Sequence, residues 1–259
     1  MSLHGKHIAI FAATGAIAGE VARQASAAGA HVDLSGRDAH ALDALASQIT
    51  ESGGSASVAV VDATDPAAVD AYVDRLAANG GIDAVFNGIG PRAAEAHYAT
   101  PSDVISLDRF LFPFDLIVGS TFLTSRAAAR HMTAQGHGSI VTLSASLSGP
   151  TTPFMAGISA ACGGIEAMTR SLAGEYGPAG VRVNCVRANA MPDTRTIQET
   201  GAQMAQNLGL DMMMSPAVSP LRQPVSIADT AAAVIHLASD SSRMVTAQVL
   251  NICGGVLVD

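Results

Sequence analysis

The sequence predicts a doubly wound, three-layer α/β sandwich, and three observations carry that expectation. Apolar runs of strand length alternate with longer helical patterns from end to end, which is the sequence form of repeated βαβ units. A chain of 259 residues, 49% of them apolar, is long enough to bury one large core. With 25 glycines and only 4% aromatic residues, it suits buried parallel strands under helices better than a sandwich of sheets or a bundle. One domain over residues 1–259 is expected.

The elements follow in order. His7 to Ala12 reads as the first strand, and Ala16 to Ala28 as a helix that stops at Gly29, a normal helix-ending residue. A second strand runs from Ala30 to Ser35 and a third from Ser57 to Val61. Pro66 opens a helix that reaches Asn79, proline being favoured at the first helical position. Further strands fit 82–87, 138–143, 181–186 and 248–252, separated by helices near 114–133, 154–176 and 226–239. Pro113 is expected to end a short helix at Phe112. The stretches 88–113 and 187–220 break the rhythm, and each follows a strand. In doubly wound sheets such loops line the ligand crevice, so 187–220, with its Met212-Met213-Met214 run, reads as a lid.

Composition excludes several function classes. A formal charge of −8 and a pI near 5.4 argue against nucleic acid or an anionic membrane as the main partner. Cys162, Cys185 and Cys253 form no paired spacing and no metal-binding spacing, which fits reduced thiols. Without a signal-peptide stretch or an apolar run of membrane length, a soluble cytoplasmic protein is expected, with no metal.

Ordered anchors then narrow the class. Lys6 to Val32 matches an opening βαβ segment. Asp62 follows the third strand, Asn87-Gly88-Ile89-Gly90 the fourth, and Arg182-Val183-Asn184 lies on the sixth; Pro220-Leu221-Arg222, Asp229, Leu237 to Asp240 and Gly254-Gly255 come later. Taken together, the set resembles the short-chain dehydrogenase/reductase (SDR) family over nearly the whole chain. The resemblance implies a Rossmann-like fold with a seven-stranded parallel sheet, assembled as a homodimer or homotetramer.

At the cofactor end, the resemblance puts the family's phosphate-loop glycines on Ala12, Ala16 and Ala18. Glycine allows a pyrophosphate to approach the backbone and the helix N-terminus, so each methyl is expected to obstruct it. Gly15, with Thr14 and Ile17, partly restores an alternative glycine spacing. Arg37 stands where an arginine would hold the 2′-phosphate of NADP; a solvated arginine is the plain alternative. The resemblance also implies that Asp62 contacts adenine, that Asn87, Gly88 and Gly90 pass beside a ribose, and that Thr194 touches the cofactor amide or phosphate.

At the catalytic end, the family's Asn, Ser, Tyr and Lys fall on Ile117, Ala145, Ile158 and Cys162. Lys6 is the only lysine in the chain and the tyrosines are Tyr72, Tyr98 and Tyr176, so no lysine can serve the reaction and nothing between residues 99 and 175 can supply a phenol from the usual helix. His97 or Tyr98, in the loop after the fourth strand, are candidate replacement acids; surface loop residues are the plain reading. Ser144 and Ser146 flank Ala145 and are candidate donors to a substrate oxygen. Cys162 is a candidate nucleophile or simple packing. Arg187 is a candidate partner for an acidic ligand, or for Asp193 or Asp211.

Three functions remain open on these residues. The first is a degenerate member of the fold, without standard hydride-transfer machinery, repurposed to bind or transform a small apolar molecule. The second is a non-catalytic subunit paired with an SDR-like partner. The third is an NADP(H)-dependent oxidoreductase with a displaced proton donor.

Overall fold

The structure is a computed structural model in which residues 2–209 and 219–258 are described. Seven strands, β1 (His7–Phe11), β2 (His31–Gly36), β3 (Ser55–Val60), β4 (Ala84–Asn87), β5 (Gly138–Ala145), β6 (Val181–Ala188) and β7 (Val249–Ile252), form one sheet in the order β3-β2-β1-β4-β5-β6-β7. Every pairing is parallel. The expected doubly wound fold is therefore the observed one. Its strand order reverses between β1 and β4, which opens a crevice beyond their carboxyl ends.

Helices cover both faces. On one side α1 (Ala16–Ala27), α2 (Ala39–Glu51) and α8 (Ile227–Ala238) bury Ile8, Ile10, Val32 and Leu34. On the other, α3 (Pro66–Ala78) and α5 (Ser120–Gln135) cover Ala9, Phe11, Val85 and Ile140. Alternate residues of β1 thus serve opposite faces, as strand geometry dictates. Local chemistry starts the helices: Asp65 accepts from the Ala67 and Ala68 N–H ahead of Pro66, and Ser226 with Asp229 forms a capping box for α8.

The structure adds two helices to those expected from the sequence. One is α2, whose N-cap Asp38 accepts from the Ala41 N–H at 3.0 Å. The other is α7 (Arg195–Leu208), inside the stretch read as a lid. Pro113 does not end a helix at Phe112. Instead α4 (Leu107–Pro113) passes into a π-helical segment, Phe114–Gly119, that runs directly into α5. The wider winding absorbs the missing N–H and the ring, so the chain bends without breaking. Met212, Met213, Met214 and Asp211 lie outside the described residues. None of the described helices is long and apolar enough to cross a membrane.

Candidate active site

The head of α1 stands at the carboxyl end of β1. Gly15 is its N-cap with extended backbone, no side chain caps that end, and no acidic residue lies in its first turn. Thr14, Gly15 and Ala16 are exposed and Ile17 is half-buried. A Cβ on Gly15 would come within 3.2 Å of the Ala12 carbonyl oxygen, so this position is tight for any other residue. An uncapped helix end with neighbouring exposed backbone fits a pyrophosphate.

The three alanines differ in consequence. Ala18 is fully buried, and a Cβ on Gly88 would lie 2.7 Å from its methyl. Its side chain therefore points at β4, where Gly88 leaves room, and does not block the loop as expected. Ala12 is the strained one, with φ at +54°. A left-handed alanine costs about 1–2 kcal/mol. Ala12→Gly is therefore expected to raise the unfolding free energy by about 1 kcal/mol after glycine's greater unfolded-state freedom is subtracted. Urea titration measures this; a variant no more stable than the parent would mean that the turn carries no strain.

Arg37 lies exposed just past β2. Beside it, the Asp62 carboxyl is held below its usual value, first by hydrogen bonds from the Thr64 hydroxyl and N–H and further by the Arg37 guanidinium, against an opposing effect of burial. The Asn87 side chain is turned inward. Its amide donates to Ser120 Oγ and Thr124 Oγ1 at 3.3 and 3.2 Å, and its Oδ1 accepts from the Ile89 N–H. Asn87 thereby ties β4 to α5 and shapes the Gly88–Gly90 turn. Thr194 caps α7 in sequence position, yet its hydroxyl donates to the Met191 carbonyl at 2.8 Å.

At the other end of the crevice, α6 (Ala156–Tyr176) runs behind β5 and β6. Ile117, Ile158 and Cys162, with Ala145 packed against them, meet in one apolar cluster. The four positions singled out in the sequence are thus brought together. Tyr98 joins them from the loop after β4, together with Ala93, Ala96 and Met204 of α7. Its hydroxyl is pushed well above the ordinary tyrosine range by burial and by the Cys162 sulfur beside it. His97 goes elsewhere: burial first, and then Arg109 of α4, hold its imidazole below the usual value. The Cys162 thiol is raised to about 11, chiefly by burial, which leaves it a thiol at neutral pH and removes it as a nucleophile.

Beneath this cluster lies a polar group that sequence reasoning misses. Glu166, one turn after Cys162, is 4% exposed and pairs with Arg187 of β6 through two bonds, Nε to Oε1 at 2.8 Å and Nη2 to Oε2 at 2.6 Å. Ser144 and Ser148 donate to Oε1 at 2.9 and 2.6 Å, and Arg187 Nη1 donates to Asn251 Oδ1 at 2.9 Å. Burial alone would raise the Glu166 carboxyl, but the bonds from Arg187, Ser148 and Ser144 outweigh it and hold it low. Arg187 is therefore engaged by Glu166 and Asn251; Asp211 lies outside the described residues. Ser144 is likewise committed. Ser146 is not: its hydroxyl oxygen is buried without a hydrogen-bond partner among the described residues. A carboxylate on the otherwise apolar stripe Ile158, Cys162, Ile165 is the available signal, since a buried Glu needs a cation at matching depth.

A family model described as Enoyl-(Acyl carrier protein) reductase matches residues 12–257. Gluconate 5-dehydrogenase of Gluconobacter oxydans (strain 621H) is 29% identical over 265 residues, covering 99% of this chain and 96% of that protein. Galactitol 2-dehydrogenase (L-tagatose-forming) of Cereibacter sphaeroides is 30% identical over 261 residues, with 99% and 96% covered. A crystal structure of a gluconate 5-dehydrogenase from Burkholderia cenocepacia J2315, in complex with NADP and tartrate, superposes with a TM-score of 0.85 at 25% identity, covering 98% and 96% of the two chains. These full-length relatives are named dehydrogenases. They overturn the expectation of a degenerate, non-redox fold or a non-catalytic subunit and point to a working oxidoreductase. With its fold, crevice and matched residues on one continuous chain, this protein belongs to the short-chain dehydrogenase/reductase family.

Proposed function

We propose that the chain is an NADP(H)-dependent oxidoreductase interconverting an apolar ketone and its alcohol, with Tyr98 as a proton donor displaced from the family's usual helix. The observation that carries this reading is the meeting of Tyr98 with Ile158 and Cys162, the positions that align with the family tyrosine and lysine. The phenol approaches from the β4 loop rather than from α6.

Thr14, Gly15 and Ile17 at the head of α1 would hold the pyrophosphate, Arg37 the 2′-phosphate, Asp62 the adenine, and the Asn87–Gly88 turn the ribose; Thr194 stands toward the amide end. When bound, the nicotinamide supplies the hydride for reduction or accepts it for oxidation. This chain's own residues do the rest. Ala93, Met155 and Ile158 exclude water and favour an apolar substrate. Ser146 has the uncommitted hydroxyl at the end of β5, and donates to the carbonyl oxygen. Tyr98 delivers the proton to that oxygen. The Glu166–Arg187 pair holds the ends of β5, α6 and β6 in register around the site. We further propose that the chain works as one domain and self-associates through α5 and α6, where Phe122 stands 42% exposed.

Cofactor choice is tested by calorimetric titration with NADPH and NADH. Arg37→Ala is expected to weaken NADPH about tenfold, the worth of one charge-assisted contact, and to leave NADH unchanged. No binding of either cofactor at millimolar concentration would sink the oxidoreductase reading.

A further inference from the structure

The register of the first two strands assembles a cluster unrelated to the crevice. His7 and His31 are direct partners across the β1–β2 ladder, and Asp33, two residues further along β2, lies on the same face. His31 Nε2 stands 3.2 Å from Asp33 Oδ1, and His7 Nδ1 stands 3.8 Å from Oδ2. The ligand atoms all lie within 4.8 Å of one another. Two ligands about 2.0–2.1 Å from a tetrahedral zinc are about 3.3 Å apart; the His31–Asp33 separation of 3.2 Å has that value, and the His7–Asp33 separation of 3.8 Å is wider than it.

The surroundings orient each ligand. His31 Nδ1 and Ser55 Oγ are 2.7 Å apart, and the Ser57 hydroxyl donates to Asp33 Oδ1 at 2.6 Å. With Nδ1–H donating to Ser55, the Nε2 lone pair faces the carboxylate, an arrangement that a cation between them relieves. The His7 ring lies over Gly80, where a Cβ would come within 2.7 Å of Cε1. Such outer contacts are what hold metal-binding imidazoles and carboxylates in place. Asp33 is 4% exposed, and a buried carboxylate needs compensating charge. The three residues open on a cavity of about 550 Å³ between β3 and α3. Tyr72, 3% exposed, lines the same cavity.

We propose that His7 Nδ1, His31 Nε2 and the Asp33 carboxylate bind a divalent transition-metal ion, zinc by preference, at the amino-terminal edge of the sheet. Two imidazoles with one carboxylate suit zinc among the common ions. The site lies at the opposite strand ends from the crevice and fastens β1 to β2.

The test uses the tag-free full chain, freed of metal by chelator. One equivalent of Zn2+ is expected by calorimetry, and zinc at about 100 times its dissociation constant should raise Tm by about 5–10 °C. Co2+ should give the strong visible absorption of a four-coordinate site. His31→Gln and His7→Gln, each checked for folding by circular dichroism, should each lose the Tm rise and weaken binding at least tenfold; Cys253→Ser should leave both intact. No zinc binding by the parent, or undiminished binding in both histidine variants, would overturn the proposal.

Discussion

Glu166→Ala is expected to lower the unfolding free energy by about 3–5 kcal/mol, because removing one member of a buried ion pair leaves the other charge uncompensated. The Arg187 guanidinium is 8% exposed and the Glu166 carboxylate 6%, so water cannot take over the lost bonds. Ser144 and Ser148 lose their acceptor at the same time. Pairing the change with Arg187→Met should recover much of the loss, because apolar replacement of a whole buried pair is often neutral. The pH dependence follows from the lowered carboxyl. Its folded value lies below the ordinary 4.5, so the pair's contribution is complete above that value and is lost as pH falls through the folded one. Urea unfolding at neutral pH and in acid reads both effects. A loss under about 1 kcal/mol in Glu166→Ala, the range of an exposed pair, would mean that the buried pair is not formed in solution.

Tyr98→Phe is expected to lower kcat for carbonyl reduction by about 10²–10⁴-fold, the usual worth of a positioned acid, while leaving the affinity for NADPH unchanged. Burial and Cys162 keep the phenol protonated past its ordinary range. Reduction should therefore hold its rate through about pH 10, where an ordinary tyrosine loses its proton. Oxidation, which needs the phenolate, should be slow at neutral pH for the same reason. Single-turnover reduction of an apolar cyclic ketone by NADPH and oxidation of the corresponding alcohol by NADP+, each followed by NADPH absorbance across pH, measure the two directions. Full activity in Tyr98→Phe would move the proton source to another group.

Much of the fold is legible because it is written in local chemistry. Strand 138–143 and helix 66–79 carry their own signals, an apolar run of strand length and a proline-headed start, and the structure places them at Gly138–Ala145 and Pro66–Ala78. Helix α2 escapes the sequence reading although Asp38 marks its start and its buried positions Leu42, Leu45 and Ile49 keep helical spacing. Pro113 misleads because its ring argues for a helix end, whereas a π-helical turn accommodates it.

The candidate site divides in the same way. From composition it follows that Lys6 is the only lysine, and the family resemblance implies that Ile117, Ala145, Ile158 and Cys162 stand at the four functional positions. Two of the consequences need coordinates. Glu166 and Arg187 belong to different elements, and only the packing of α6 behind β6 shows that they meet. Ala18 reads as an obstruction until Gly88 is found opposite it.

The sequence by itself determined the alternation of strands and most helices and that Lys6 is the only lysine in the chain, because periodicity, turn residues and composition are properties of neighbours along the chain. The tertiary structure decided that Tyr98 enters the apolar cluster, that Ser144 serves Glu166, and that His7, His31 and Asp33 converge. Those contacts join residues of different elements, and their partners are chosen by strand register and helix packing, which no local pattern encodes.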